Sequence, residues 1–287
     1  IVGSFIACSA EEDSGKMRVA VLIYGIGRSS IIVDANFRSK LYPILTASFN
    51  IVDTFYVYNH VGSLNNPRTN EFSEIVPPKT GVFKNAKIIK TCESDLLDPK
   101  ILEKTLACVD VHNDDYRTYK NLLSQLSMLK LMADIPNIES YDRLLVIRDD
   151  TIIKNNLPIK FLSSVYDNYI LLTYWHWHNG LSDRFLYGSP DRVIPCLHRL
   201  DLVEEFIDKF GYLNGEQLVR FLFKKDGLSF LVDDIQLVRV RAHMTHVENF
   251  IPVFWRPLEL FRVIVRIIFS KFIRFFYENY SFWRSSR

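Results

Sequence analysis

A chain of 287 residues, 48% hydrophobic and 24% charged, has material for one large α/β domain or two small ones and is too apolar to be a disordered segment. A net charge of +2 at pH 7 argues against a general nucleic-acid binder. Its cysteines, Cys8, Cys92, Cys108 and Cys196, form no CxxC pair, so free thiols are expected and a structural zinc or redox dithiol is not.

The opening "IVGSFIACSA" is apolar and ends in small residues, as the end of a signal or anchor segment does, but ten residues do not span a bilayer. Residues 1–16 are therefore set apart as an extension. "MRVAVLIYGIG" (17–27) is a β-branched run closed by two glycines, which predicts a buried parallel strand and its turn. A helix over 34–49, disturbed at Pro43, leads to a second strand over 52–61. Residues 62–81 are polar and rich in turn formers and read as a long loop. "AKIIKT" is a third strand. Helices follow over 98–108 and 117–134, the second with Leu122, Leu126, Leu129 and Ala133 at helical spacing toward the sheet. "LLVIRDD" and "YILLTYW" are further strands, and helices are expected near 193–210 and 215–225. "LSFLV" and "IQLVRVRAH" read as a late hairpin. No repeat or linker divides the chain, so one α/β domain with a mostly parallel sheet is expected over 17–253.

In open α/β sheets, ligands bind beyond the carboxyl ends of the strands. The strand within "YDRLLVIRDDT" (141–151) ends there in Arg148, Asp149 and Asp150. Adjacent carboxylates repel unless a cation joins them, and oxygen ligands of this kind suit Mg²⁺ or Mn²⁺ together with a substrate phosphate. The plain alternative is a solvated turn.

Further segments fall in an order that resembles the GT-A class of nucleotide-sugar glycosyltransferases, in a subgroup with R-x-D in place of D-x-D. They are "VAVLIYGIGRS", "YDRLLVIRDDT", "GLSDRFLYGS" and "NGEQLVRFLFKKDGLSF". The resemblance implies a single GT-A-like, Rossmann-type domain with a mixed, mostly parallel central sheet flanked by helices. It also implies transfer of a sugar from a nucleotide-diphosphate sugar to a glycan or lipid-linked acceptor. Under it, Asp150 holds Mn²⁺ or Mg²⁺, Asp149 assists or contacts the ribose or sugar, and His243 (or His246) completes the metal site. Arg28 and Arg148 face the diphosphate, with Gly25 and Gly27 allowing close backbone approach. Asp183 and Arg184 line the donor or acceptor pocket and Glu216 sits near the acceptor. Asp183 or Glu216 would be the base of an inverting reaction, which a retaining one does not require. Arginine at the first motif position leaves open that basic residues replace the metal in neutralising a leaving diphosphate. Structural alternatives are a tight turn for the glycines, an ion pair for Asp183 and Arg184, and a favourable helix end for Glu216. Trp175, His176, Trp177 and His178 are either sugar-stacking groups or core.

Two rival functions share these features. A nucleotidyltransferase or pyrophosphatase on a related fold also needs carboxylates, but "GIGRSS" is poor in glycine for its phosphate loop. A non-catalytic module binding nucleotide sugars or glycans needs only the pocket. Residues 254–287 carry seven basic and two acidic side chains. On a helix, Arg262, Arg266, Ser270, Arg274 and Glu278 form one polar stripe, so the tail is expected either to lie in an anionic membrane interface or to pack on the domain or a second copy.

Overall fold

The computed structural model describes residues 17–27, 30–66, 71–74, 81–155, 167–173, 180–233 and 235–241, together with Val265, Ile268, Phe269 and Phe272. At its centre is β1 (Arg18–Gly25), with six consecutive buried residues between its ends. It pairs in parallel with β2 (Ile51–Asn59) on one side and β6 (Arg143–Arg148) on the other. β5 (Lys87–Thr91) extends the sheet beyond β2. Beyond β6 come β9 (Phe185–Gly188), β8 (Ile170–Thr173) and β10 (Phe230–Asp233). β9 runs antiparallel to both its neighbours and β10 runs parallel to β8, so one strand of seven is reversed. The sheet is mixed and mostly parallel, as expected.

Strand alternation divides the core between the two faces. Ala20, Leu22 and Tyr24 pack on one side with Leu144 and Val146, beneath α6 (Arg117–Ala133) and the helices α7 (Pro190–Leu197), α8 (Val203–Phe210) and α9 (Gly215–Lys225). Val19, Val21 and Ile23 pack on the other with Leu145 and Ile147, against α1 (Ser30–Asn36) and α2 (Tyr42–Ser48). α6 buries Tyr119, Leu123, Leu126, Leu129 and Met132. Its apolar stripe is thus turned slightly from the expected one, and Leu122 lines a cavity instead.

The structure corrects several boundaries. The first helix starts at Ser30, and its disturbance is a π turn over Phe37–Leu41, where the Tyr42 N–H reaches back to the Phe37 carbonyl. Pro43, which cannot donate, then falls in the first turn of α2. The expected loop over 62–81 contains a hairpin of β3 (Ser63–Asn66) and β4 (Glu71–Glu74), followed by the short helix α3 (Gly81–Lys84). The helix near 193–210 is α7 and α8 joined by a 3₁₀ segment, His198–Leu202. The late hairpin does not form. β10 joins the main sheet, whereas β11 (Leu237–Arg239) pairs with β7 (Thr151–Ile153), directly after the aspartate pair. Of the cysteines, Cys108 and Cys196 are free thiols. Among the described residues no helix is long and apolar enough to cross a membrane.

Candidate active site

A cavity of about 680 Å³ opens beyond the C-terminal ends of β1 and β6 and is lined by seven of the expected residues: Gly25, Arg148, Asp149, Asp150, Asp183, Arg184 and Glu216. Its size is that of an ordinary small-molecule site. Gly27 borders it through a hydrogen bond to Asp149. Arg28, His243, His246 and the Trp175–His178 cluster lie outside the described residues.

The glycines after β1 serve the first aspartate. Gly27 N–H donates to Asp149 Oδ2 at 2.6 Å, and the Tyr56 hydroxyl donates to the same oxygen at 2.7 Å. A Cβ on Gly25 would stand 1.8 Å from Asp149 Oδ1, so no other residue fits there without moving the carboxylate. Close backbone approach was expected at Gly25 and Gly27, and what approaches is the protein's own carboxylate. The Tyr56 hydroxyl pKa is raised well above its usual value, by burial first and by Asp149 second. Tyr56 therefore stays a neutral donor.

Asp150 is held from the other side. Arg148 Nε and Nη2 each lie 2.9 Å from one of its oxygens, a bidentate pair with both side chains largely buried. Arg148 Nη1 donates to Gln125 Oε1 at 2.9 Å, which ties the pair to α6. Arg239 Nε lies 3.7 Å from Asp150 Oδ2, and Val240 N–H donates to the Asp150 carbonyl. The crossing of β11 over β7 is what carries Arg239 to this point. As they stand, these carboxylates do not fit a divalent cation, which needs oxygens turned toward it: both oxygens of Asp150 face a guanidinium, and Asp149 Oδ2 accepts two donors. Among the described residues no three His, Cys, Asp or Glu side chains are grouped to hold a metal.

The second pair of carboxylates is assembled by the reversed strand. Because Ile147 pairs with Phe185 in antiparallel register, Asp183 and Arg184 arrive at the end of β6 where Arg148 leaves it. Asn214 caps α9 by accepting the Gln217 N–H, which fixes the turn bearing Glu216. Leu181 N–H donates to the Glu216 carbonyl at 2.9 Å, and a Cβ on Gly180 would stand 2.0 Å from that carbonyl. Residues 180–183 are thus laced to the first turn of α9. Burial, then the charge of Asp183, pushes the Glu216 carboxyl up to about 7, against the opposing pull of Arg184 and Arg239. A carboxylate poised near neutrality in a cavity is suited to take or give a proton at physiological pH.

Residues not anticipated also line the cavity: Tyr24, Asn59, Arg117, Gln125, Arg239 and Arg241. The signal for two of them was in "VRVRAH", since Arg239 and Arg241 stand two apart on a strand and share a face.

No protein-family profile matches the sequence, and no curated protein is significantly similar to it. Solved structures with partial likeness include the apo form of mouse xyloside xylosyltransferase 1, at 15% identity and TM-score 0.40, over 76% of this chain and 84% of that one. The galactosyltransferase LgtC in complex with donor and acceptor sugar analogs is 9% identical at TM-score 0.38, over 74% and 73%. Apo GlyE of Streptococcus pneumoniae, a glycosyltransferase, is 14% identical at TM-score 0.38, over 75% of this chain and 45% of that one. Likeness at this level assigns no activity.

Proposed function

We propose that the protein is a GT-A-type glycosyltransferase, transferring a sugar from a nucleotide-diphosphate sugar to the hydroxyl of a glycan or lipid-linked acceptor. The observation that supports this most is Glu216, held beside Asp183 with its carboxyl near neutrality, in a cavity whose described lining also includes five guanidinium groups. Glu216 takes the acceptor proton as the hydroxyl oxygen bonds to the anomeric carbon. The bond from that carbon to the diphosphate breaks, and its electron pair leaves with the phosphate oxygen. The order of motifs along the chain supports the same reading. Incubation with a panel of nucleotide sugars and sugar acceptors is expected to release a nucleoside diphosphate from one donor. Release of pyrophosphate, or binding without turnover for every donor and acceptor tried, rejects transfer in favour of a nucleotidyl or pyrophosphate reaction or a binding module.

A membrane-borne acceptor fits the tail. Val265, Ile268, Phe269 and Phe272 recur at helical spacing and are all exposed, within a segment whose sequence carries a charge excess of +5 from seven basic and two acidic residues. Exposed aromatic and aliphatic groups beside basic ones suit the interface of an anionic bilayer. The full chain is expected to co-sediment with phosphatidylserine-containing vesicles at low salt, and a chain ending at Pro257 is not. Equal binding by the two forms, or a concentration-dependent dimer lost on truncation with no vesicle binding, would assign the tail to protein contact.

A further inference from the structure

Asp150 stands between two guanidinium groups, with Arg148 paired to both of its oxygens and Arg239 at 3.7 Å. Two residues further along, Arg241 Nη1 lies 2.8 Å from Glu71 Oε2, and Glu71 is 1% exposed. Val238 and Val240, between and beside these arginines, are buried in the core on the opposite face. Arg239 and Arg241 therefore present themselves together on the cavity side, where both line the wall with Arg148 and Arg184, while Arg117 stands exposed at the start of α6. The described lining includes five guanidinium groups in all, set against the carboxylates of Asp149, Asp150, Asp183 and Glu216.

An arginine held by a buried carboxylate is oriented before any ligand arrives, and its five N–H donors allow it to hold a carboxylate and a phosphate together. We propose that the diphosphate of the donor is received directly by these guanidinium groups, Arg239 and Arg241 foremost, without a divalent cation, and that Asp150 and Glu71 are positioning residues that aim them. This rests on the transferase reading and deepens it. In the step itself the bond between the anomeric carbon and the phosphate oxygen breaks, the electron pair stays on that oxygen, and the new negative charge meets N–H donors already in place. No proton or co-reactant is consumed at that end of the reaction.

Titration calorimetry on the full chain decides it, using UDP and GDP in EDTA and in Mn²⁺, and Mn²⁺ alone. One of the nucleotides is expected to bind equally well in EDTA and in Mn²⁺, while Mn²⁺ alone gives no heat. Arg239→Gln is expected to weaken nucleotide binding at least about tenfold, as loss of a charged hydrogen-bond donor does, with Arg239→Lys in between. Arg148 still pairs with Asp150 in these variants, so the fold is retained, and circular dichroism confirms it. Binding that appears only with Mn²⁺, or Arg239→Gln binding as the wild type does, overturns the proposal and leaves the transferase reading standing. Binding of neither nucleotide under either condition, together with no nucleoside diphosphate release from any donor of the panel, removes both.

Discussion

Glu216→Gln will lower the rate of sugar transfer by about 10²–10⁴-fold, the usual worth of a positioned base, with little change in donor affinity. Its mechanism predicts a pH signature as well. The wild-type carboxyl is pushed up to about 7, by burial first and by Asp183 second, so kcat/KM rises with pH through that region and then levels off. The groups facing Glu216 are Asp183, Arg184 and Arg239, and of these Asp183 is the one that raises it. Asp183→Asn removes that repulsion and is expected to move the acid limb to lower pH, while Arg184→Gln moves it higher. Stability follows the same linkage. A folded-state pKa raised above the unfolded one favours the protonated form, so this group's contribution is fully present below about 4.5 and is lost as pH rises through about 7. Gln does not titrate, so Glu216→Gln should be no less stable than wild type at pH 8 by thermal melting. A variant that loses activity only because it unfolds would show the reverse.

Much of this site was legible before any coordinates. A buried run that ends in Arg-Asp-Asp announced a strand tip, and it lies beside the glycine turn of β1 in the middle of the sheet. Motif order alone drew Asp183 and Glu216 to the site, and both line the cavity. What local pattern did not give was β9, neither as a strand nor in its direction. "FLYG" is four buried residues whose antiparallel pairing depends on β6 and β8 on either side, so nothing in its own sequence marks it as the reversed strand. The pairing of β11 with β7 was hidden for the same reason. Two apolar runs separated by a few polar residues read as a hairpin, but each found a better-buried neighbour elsewhere. With that crossing went the position of Arg239, and so the company Asp150 keeps.

That company sets the last expectation. The Arg148 and Asp150 side chains are 11% and 2% exposed, and their pair is bidentate. Cutting one member of such a pair leaves the other charge buried without its partner, which costs about 3–5 kcal/mol. Arg148→Met is therefore expected to lower the melting temperature by about 10 °C, on the scaling for domains of this size. Asp150→Asn should also destabilise, because the Arg148 guanidinium then loses a charged acceptor on both of its arms. The double variant Arg148→Met, Asp150→Leu should recover a good part of the loss, since replacing a buried pair by apolar groups of similar volume is often neutral. A metal ligand behaves otherwise. A carboxylate held open beside Asp149 for a cation would, in the metal-free protein, be relieved of repulsion by Asp150→Asn, and the melting temperature would hold or rise while cation binding vanished. Thermal melts of these three variants in EDTA thus separate the two roles without an assay of transfer. Destabilised single variants with a compensating double establish the guanidinium clamp, and an unchanged or more stable Asp150→Asn protein returns that aspartate to the cation.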